Sequence, residues 1–157
     1  PGGPRPKLPI GPLLSERQRR ERFGANLVPA NWQGLKALMG VLSRGGGVGV
    51  LPDQEPTGGD GRFAPFFGVP ALTGVLAPRL IQRTGARAVF AGCVRGDNGK
   101  FRIHVIPAEP AIADPDPDVA LAALNRGVEA VIALAPDQYL WGYKRFRARP
   151  PGEERLY

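Results

Sequence analysis

The sequence predicts an α/β fold: a mostly parallel sheet flanked by helices, with one β-hairpin at its edge. Three observations predict it. Segments whose apolar residues recur at helical spacing alternate along the chain with short apolar runs bounded by glycine or proline, the pattern of strand and crossover-helix units. The runs RAVFAGCVR (87–95) and FRIHVIP (101–107) flank the turn GDNGK, with period-two alternation at Phe101, Ile103 and Val105, which is a hairpin signal. A chain of 157 residues with 43% hydrophobic content is large enough for one domain, 1–157, around one core.

Each element follows from its residues. PLLSERQRRERFG, 12–24, sets helix formers between Pro12 and Gly24 and predicts a first helix. NWQGLKALMGVLSRGGG, 31–47, predicts a second, with Asn31 as N-cap, Trp32, Leu35, Leu38, Met39 and Leu42 at helical spacing, and glycines at its end. Val48 to Leu51 is a continuous apolar run stopped by Pro52, too short for a core helix, and reads as a buried strand. TGVLAPRLIQRTG, 73–85, reads as a helix capped by Thr73 and stopped by Gly85, kinked near Pro78 because proline removes a backbone donor. After the hairpin, AEPAIADPDPD is a proline-broken loop. DVALAALNRGVEAVIALAP is an amphipathic helix capped by Asp118, and PDQYLWGYKRF makes a short last helix before an irregular basic tail.

Composition bounds the chemistry. A single cysteine, Cys93, excludes an intramolecular disulfide and a cysteine-based zinc cluster; inside AVFAGCV it reads as a small buried thiol. No apolar stretch approaches the roughly 18 residues of a membrane-spanning helix, and PGGPRPKLPIG has no signal-peptide pattern. The net charge is +7, and it gathers at the two ends: Arg5, Lys7, Arg17, Arg19, Arg20 and Arg22, then Lys144, Arg145, Arg147, Arg149 and Arg155. Such clusters attract polyanions of several kinds. Nucleic acid is not expected, because the aromatic residues needed for base stacking do not interleave with the basic ones except in YLWGYKRFRARP, where core packing of Tyr139 and Trp141 is favoured.

Familiar catalytic patterns are missing. The one histidine, His104, lies mid-strand and by alternation points opposite to Phe101, Ile103 and Val105, toward solvent or under a loop. GGGVG and TGGDG lack the Gly-Lys-Ser/Thr of a phosphate-cradling loop, and no metal spacing or cofactor motif is present. The informative stretch is GVLPDQEPTGGDGRFAPFFGVP, 49–70. Two acids and an amide at the end of an apolar run describe a turn, or equally the lip of a pocket. On the second reading Asp53 and Arg62 orient a polar head group, while Phe63, Phe66 and Phe67 border an apolar chain.

These residues also carry a family resemblance. RRERFG (19–24), GVLPDQEP (49–56), FAPFFGVPA (63–71) and APDQYLWGYKRFRARPPGEERLY (135–157) stand in the order of the late acyltransferases of lipid A biosynthesis, the lauroyl and myristoyl acyltransferase family, and the chain resembles the C-terminal portion of that family. Arg5-Pro6 with Pro12-Leu13-Leu14 resembles the family's Arg-Pro and Asn-Pro-Leu-Leu segment, with longer spacing and without the Asn.

The resemblance implies part of a glycerolipid-acyltransferase-like fold, and an activity that moves a fatty acyl chain from an acyl carrier protein thioester to a hydroxyl of a phosphorylated glycolipid acceptor, at the cytoplasmic face of the inner membrane. It implies peripheral membrane contact and no cofactor. Asp53 and Gln54 match the Pro-Asp-Gln/His block beside the active-site groove, Arg5 matches the Arg-Pro arginine, and the Phe63 to Gly68 block lines the groove. Arg95 is placed to meet a phosphate or an acid of the carrier protein. The family's histidine, followed four residues later by Asp or Glu, is the general base that deprotonates the acceptor hydroxyl. That motif, which precedes the Arg-Pro segment by about thirty residues in the family, is absent here together with the hydrophobic anchor. His104, followed by Glu109 five residues on, does not replace it. The chain by itself is therefore expected to be inactive. A phosphatidylinositol mannoside acyltransferase, a non-catalytic lipid-binding or carrier-binding relative, and an unrelated basic nucleic-acid-binding module are the alternatives.

Overall fold

Local turns decide which strands meet. In the computed structural model, which describes residues 21, 24–29, 31–56 and 59–157, strand β1 (Gly61–Phe66) pairs antiparallel with β2 (Val69–Gly74), from Gly61 opposite Gly74 to Phe66 opposite Val69. The two-residue turn between them has Phe67 at φ 48° and Gly68 at φ 76°, the doubly left-handed geometry whose twist matches that of a hairpin. A phenylalanine there is strained. Its backbone N–H donates to the Glu129 carboxylate at 2.7 Å, and its ring meets Phe66 edge-on at 4.8 Å, interactions that offset the strain.

The second hairpin is the one read from the sequence. Strands β3 (Val89–Arg95) and β4 (Phe101–Pro107) pair antiparallel, with Arg95 opposite Phe101 and Val89 opposite Pro107. The Gly96 N–H donates to the Lys100 carbonyl, and Gly99, at φ 73°, makes the reversal.

Both sheets among the described residues are two-stranded and antiparallel, so the expected mostly parallel arrangement is corrected. A parallel pair needs a crossover between its strands. Here each strand turns directly back on its neighbour in sequence, and helix α2 (Leu76–Thr84) joins two strands that do not pair. The strand expected at Val48–Leu51 is not formed either; that segment has no ladder partner.

Two units are distinguished, the residues up to Leu38 and Met39–Tyr157. Helix α1 (Trp32–Ser43) begins as expected, the Asn31 side chain accepting from the Gly34 N–H at 3.1 Å, and ends at Gly45, φ 77°. Gly34 is needed as glycine, since a Cβ would lie 1.9 Å from the Pro29 carbonyl oxygen. The helix expected over 12–24 falls outside the described residues except for Glu21 and Gly24, which close a turn with a 2.9 Å bond.

In the second unit α3 (Pro117–Ile132) is the central element. Its buried side, Leu121, Leu124, Val128 and Ile132, faces Ala64, Phe66 and Ala71 of the first hairpin and Phe90 of the second. The cap is Asp116 rather than Asp118: its side chain accepts from the Asp118 N–H at 2.9 Å, and Pro117 takes the first helical position, where a missing N–H costs nothing. In α2 the cap position is Val75, while Thr73 lies buried in β2. Pro78 stands in the first turn of that helix, where backbone donors have no helical acceptor, so the expected kink has no cause. The last helix reduces to a 3-10 turn, Pro136–Gln138.

The hairpin β3–β4 presents its faces opposite to expectation. Phe101, Ile103 and Val105 are exposed and Cys93 is exposed, while His104 lies half-buried on the side of Phe90 and Gly92. That side faces α3: a Cβ on Gly92 would lie 2.3 Å from the Val131 side chain.

Candidate functional site

Apolar residues from four parts of the Met39–Tyr157 unit leave a cavity of about 730 Å³ between them. Leu51 comes from the segment after α1, Leu80 from α2, Val89 from β3, and Leu124, Val128 and Ile132 from α3. The volume is in the range of small-molecule sites. Asp53 and Tyr139 line it as well, so the run Val48–Leu51 ends at a carboxylate on the wall of an apolar space.

Tyr139 belongs to the C-terminal segment and packs against the core cluster of Phe66, Ala71, Val128 and Ile132, with Trp141 edge-on at 4.9 Å. Burial raises its phenol above the ordinary tyrosine range. The Asp53 carboxylate beside it pushes the same way, and the Arg145 guanidinium opposes them.

The loop that carries Asp53 is held from the same segment. The Glu55 N–H donates to the Tyr143 hydroxyl at 2.9 Å, and the Glu55 carboxylate accepts from the Ala148 N–H at 2.9 Å and from Arg147 Nη2 at 3.0 Å. The Glu55 side chain is only 6% exposed, whereas that of Arg147 is 73% exposed. Burying a carboxyl group costs little only when its oxygens are hydrogen-bonded, and here both are.

Behind this loop lies a polar core. Arg145 is 3% exposed, donating to the Leu72 carbonyl at 2.7 Å and the Thr73 hydroxyl at 3.0 Å, with its guanidinium 5.2 Å from the Phe66 ring centre. Burial lowers its pKa, yet an arginine stays protonated. Asn125 of α3 donates to the Pro65 carbonyl at 2.8 Å and the Thr73 hydroxyl at 3.0 Å. Arg149 donates to the Pro70 carbonyl at 2.9 Å and pairs with Glu153. Arg145 and Arg149 thus cover alternate carbonyls of β2, whose only strand partner among the described residues is β1. The tail read as a polyanion-attracting cluster spends three of its arginines on the protein itself.

The residues read from the sequence as site candidates do not gather in one place. Asp53 lines the cavity and Gln54 is exposed beside it. Arg62 pairs with Asp118 of α3 at 3.2 Å. Phe66 is buried in the core, Phe63 faces away from it on β1 opposite Leu72, and Phe67 occupies the turn, 5.9 Å from Trp141. None of the three phenylalanines lines the cavity. The Arg95 backbone is bonded through both its N–H and its carbonyl to the Gln138 side chain, and its guanidinium stacks 5.1 Å over Phe101. Arg5 lies outside the described residues. Tyr139, Tyr143, Glu55 and Arg147 were not read as parts of one site. The contacts joining them span 88 to 93 residues of sequence, a separation over which periodicity carries no signal.

Among the described residues no group of His, Cys, Asp and Glu could hold a metal ion, and no helix is long and apolar enough to cross a membrane.

Residues 14–148 match the family described as bacterial lipid A biosynthesis acyltransferase. The chain is 33% identical over 147 residues to the lipid A biosynthesis palmitoleoyltransferase of Escherichia coli (strain K12), covering 92% of this chain and 48% of that protein. It is 29% identical over 148 residues to the lipid A biosynthesis lauroyltransferase of the same organism, covering 93% and 48%. With the lipid A biosynthesis myristoyltransferase of that organism it shares 29% over 139 residues, covering 88% and 43%. The chain spans about half the length of the curated relatives it matches.

Proposed function

The chain belongs to the bacterial lipid A biosynthesis acyltransferase family, and on that premise we propose that it forms the C-terminal portion of an enzyme that moves a fatty acyl chain onto a hydroxyl of a lipid A precursor. The donor is an acyl carrier protein thioester. The acceptor is a phosphorylated glycolipid, reached by peripheral contact at the cytoplasmic face of the inner membrane.

One observation carries the reading: the apolar cavity of about 730 Å³ has a carboxylate, Asp53, on its wall. An acyl chain gains stability from leaving water, about 0.8 kcal/mol for each buried methylene. The Asp53 carboxylate is an acceptor for a sugar hydroxyl or amide of the head group, and exposed Gln54 beside it supplies both a donor and an acceptor. Deprotonation of the attacking hydroxyl needs a general base. His104 is on β4, apart from the cavity lining, and on the family resemblance the base is supplied by the family's His motif outside these residues.

The test uses two polypeptides. This chain, incubated with acyl carrier thioester and lipid A precursor, is expected to make no acylated product, and a longer polypeptide that adds the His motif is expected to make it. In the longer form Asp53→Asn is expected to lower transfer at least about tenfold, the effect of losing one charge-assisted hydrogen bond. Activity of the short chain, or unchanged transfer in Asp53→Asn, would overturn these roles.

A further inference from the structure

We propose that Glu55 and Tyr143 are positioning residues for Asp53, forming a clamp by which the C-terminal segment holds the Asp53 loop at the cavity wall. The proposal deepens the reading above and rests on it for the role of Asp53.

The loop cannot hold itself. Residues 46–51 form neither helix nor strand, and 52–54 make a turn, so nothing in the local backbone ladder fixes where Asp53 stands. Its attachments come from residues far along the chain. The Tyr143 hydroxyl takes the Glu55 N–H at 2.9 Å, and each oxygen of the Glu55 carboxylate is bonded, one by the Ala148 N–H at 2.9 Å and the other by Arg147 Nη2 at 3.0 Å and Nε at 3.2 Å. Glu55 is thus anchored through its backbone and both carboxylate oxygens, two residues from Asp53.

The far end of the clamp is rigid. The next residue but one after Tyr143 is Arg145, buried and bonded to the Leu72 carbonyl and Thr73 hydroxyl of β2. Phe146 packs with Phe66, their ring centres 6.0 Å apart. Displacement of a reacting or binding group by about 1 Å can cost up to about a hundredfold in rate.

Tyr139 serves as a reporter. Its phenol lies on the same cavity wall as Asp53 and senses that carboxylate, along with the Arg145 and Tyr143 side chains of its own segment. Burial first and the Asp53 charge second raise its pKa. The folded protein therefore keeps it neutral above the ordinary tyrosine value of about 10. The corresponding stability is fully present below that pH and is lost as pH rises toward the folded-state value.

The experiment has two arms. In this chain, ultraviolet difference titration follows its three tyrosines. One is expected to ionise later than the others, to vanish in Tyr139→Phe, and to move earlier in Asp53→Asn. If the clamp sets the place of Asp53, Glu55→Ala moves it earlier too, with the far-ultraviolet spectrum unchanged. Tyr143 acts on the Tyr139 phenol directly as well, so Tyr143→Phe is read by transfer in the longer polypeptide. There it is expected to lower kcat as Glu55→Ala does, and unchanged kcat would overturn its place in the clamp. A titration that shifts in Asp53→Asn but not in Glu55→Ala would overturn the proposal. In the longer, transfer-competent polypeptide, Glu55→Ala is expected to lower kcat about tenfold to a hundredfold, and Asp53→Asn/Glu55→Ala together to be no worse than Asp53→Asn alone. An additive double variant shows that Glu55 acts elsewhere and overturns the clamp. Unimpaired transfer in Asp53→Asn removes the reading on which the proposal rests, and is told apart because the tyrosine titration does not depend on transfer.

Discussion

Asn125 shows how much one buried polar side chain can organise. It sits on the inward stripe of α3, four residues after Leu121 and three before Val128, and is 1% exposed. Its amide bonds the Pro65 carbonyl of β1 and the Thr73 hydroxyl of β2, and Thr73 in turn receives Arg145. Replacing it by alanine strands these partners away from water. Asn125→Ala is expected to destabilise the protein by about 2–4 kcal/mol, the cost of leaving more than one buried group unpaired, measured as a lower urea midpoint. The asparagine was visible on an otherwise apolar helical face; that Thr73 and Arg145 would be its companions was not. Thr73 reads locally as a helix cap because a threonine before an apolar run commonly is one. Cys93 was misplaced for a related reason: an apolar run does not say which of its alternating side chains meets the core.

At the scale of elements, agreement follows the range of the interactions. The hairpin β3–β4 and the helices α1 and α3 were legible because a turn sequence, a cap and a 3.6-residue period are local. The hairpin β1–β2 was not, since its left-handed turn carries Phe67 where glycine or asparagine would be expected, and its stabilising partner, Glu129, is 62 residues away. The contact between β3 and α3 depends on two glycines. An alanine Cβ at Gly127 would lie 2.0 Å from the Phe90 ring, and Phe90 packs against both core clusters, so its ring has little room to turn. Alanine adds about 1 kcal/mol of helix propensity, but overpacking costs about 1–3 kcal/mol. Gly127→Ala is therefore expected to lower thermal stability, and a rise in Tm would show that the ring can move aside.

For the molecule as a whole, the open face of β3–β4 and the basic tail have opposite fates. Ile103 is 71% exposed, with Phe101 and Val105 beside it on the same face. Ile103→Thr is expected to change stability by less than about 0.5 kcal/mol and to reduce self-association measured by light scattering, because it breaks up an exposed apolar patch. The tail, in contrast, turns inward, its Arg145, Arg147 and Arg149 covering β2 and sealing Glu55. Family membership, the Asp53 stretch, the Asn31 cap and the second hairpin were determined by sequence alone, because each depends on residue types a few positions apart. The pairing of β1 with β2, the facing of His104 and Cys93, the cavity, and the clamp across some ninety residues were decided only by tertiary structure. These depend on which distant surfaces meet once water is expelled, and the hydrophobic effect that brings them together has no direction written into any single segment.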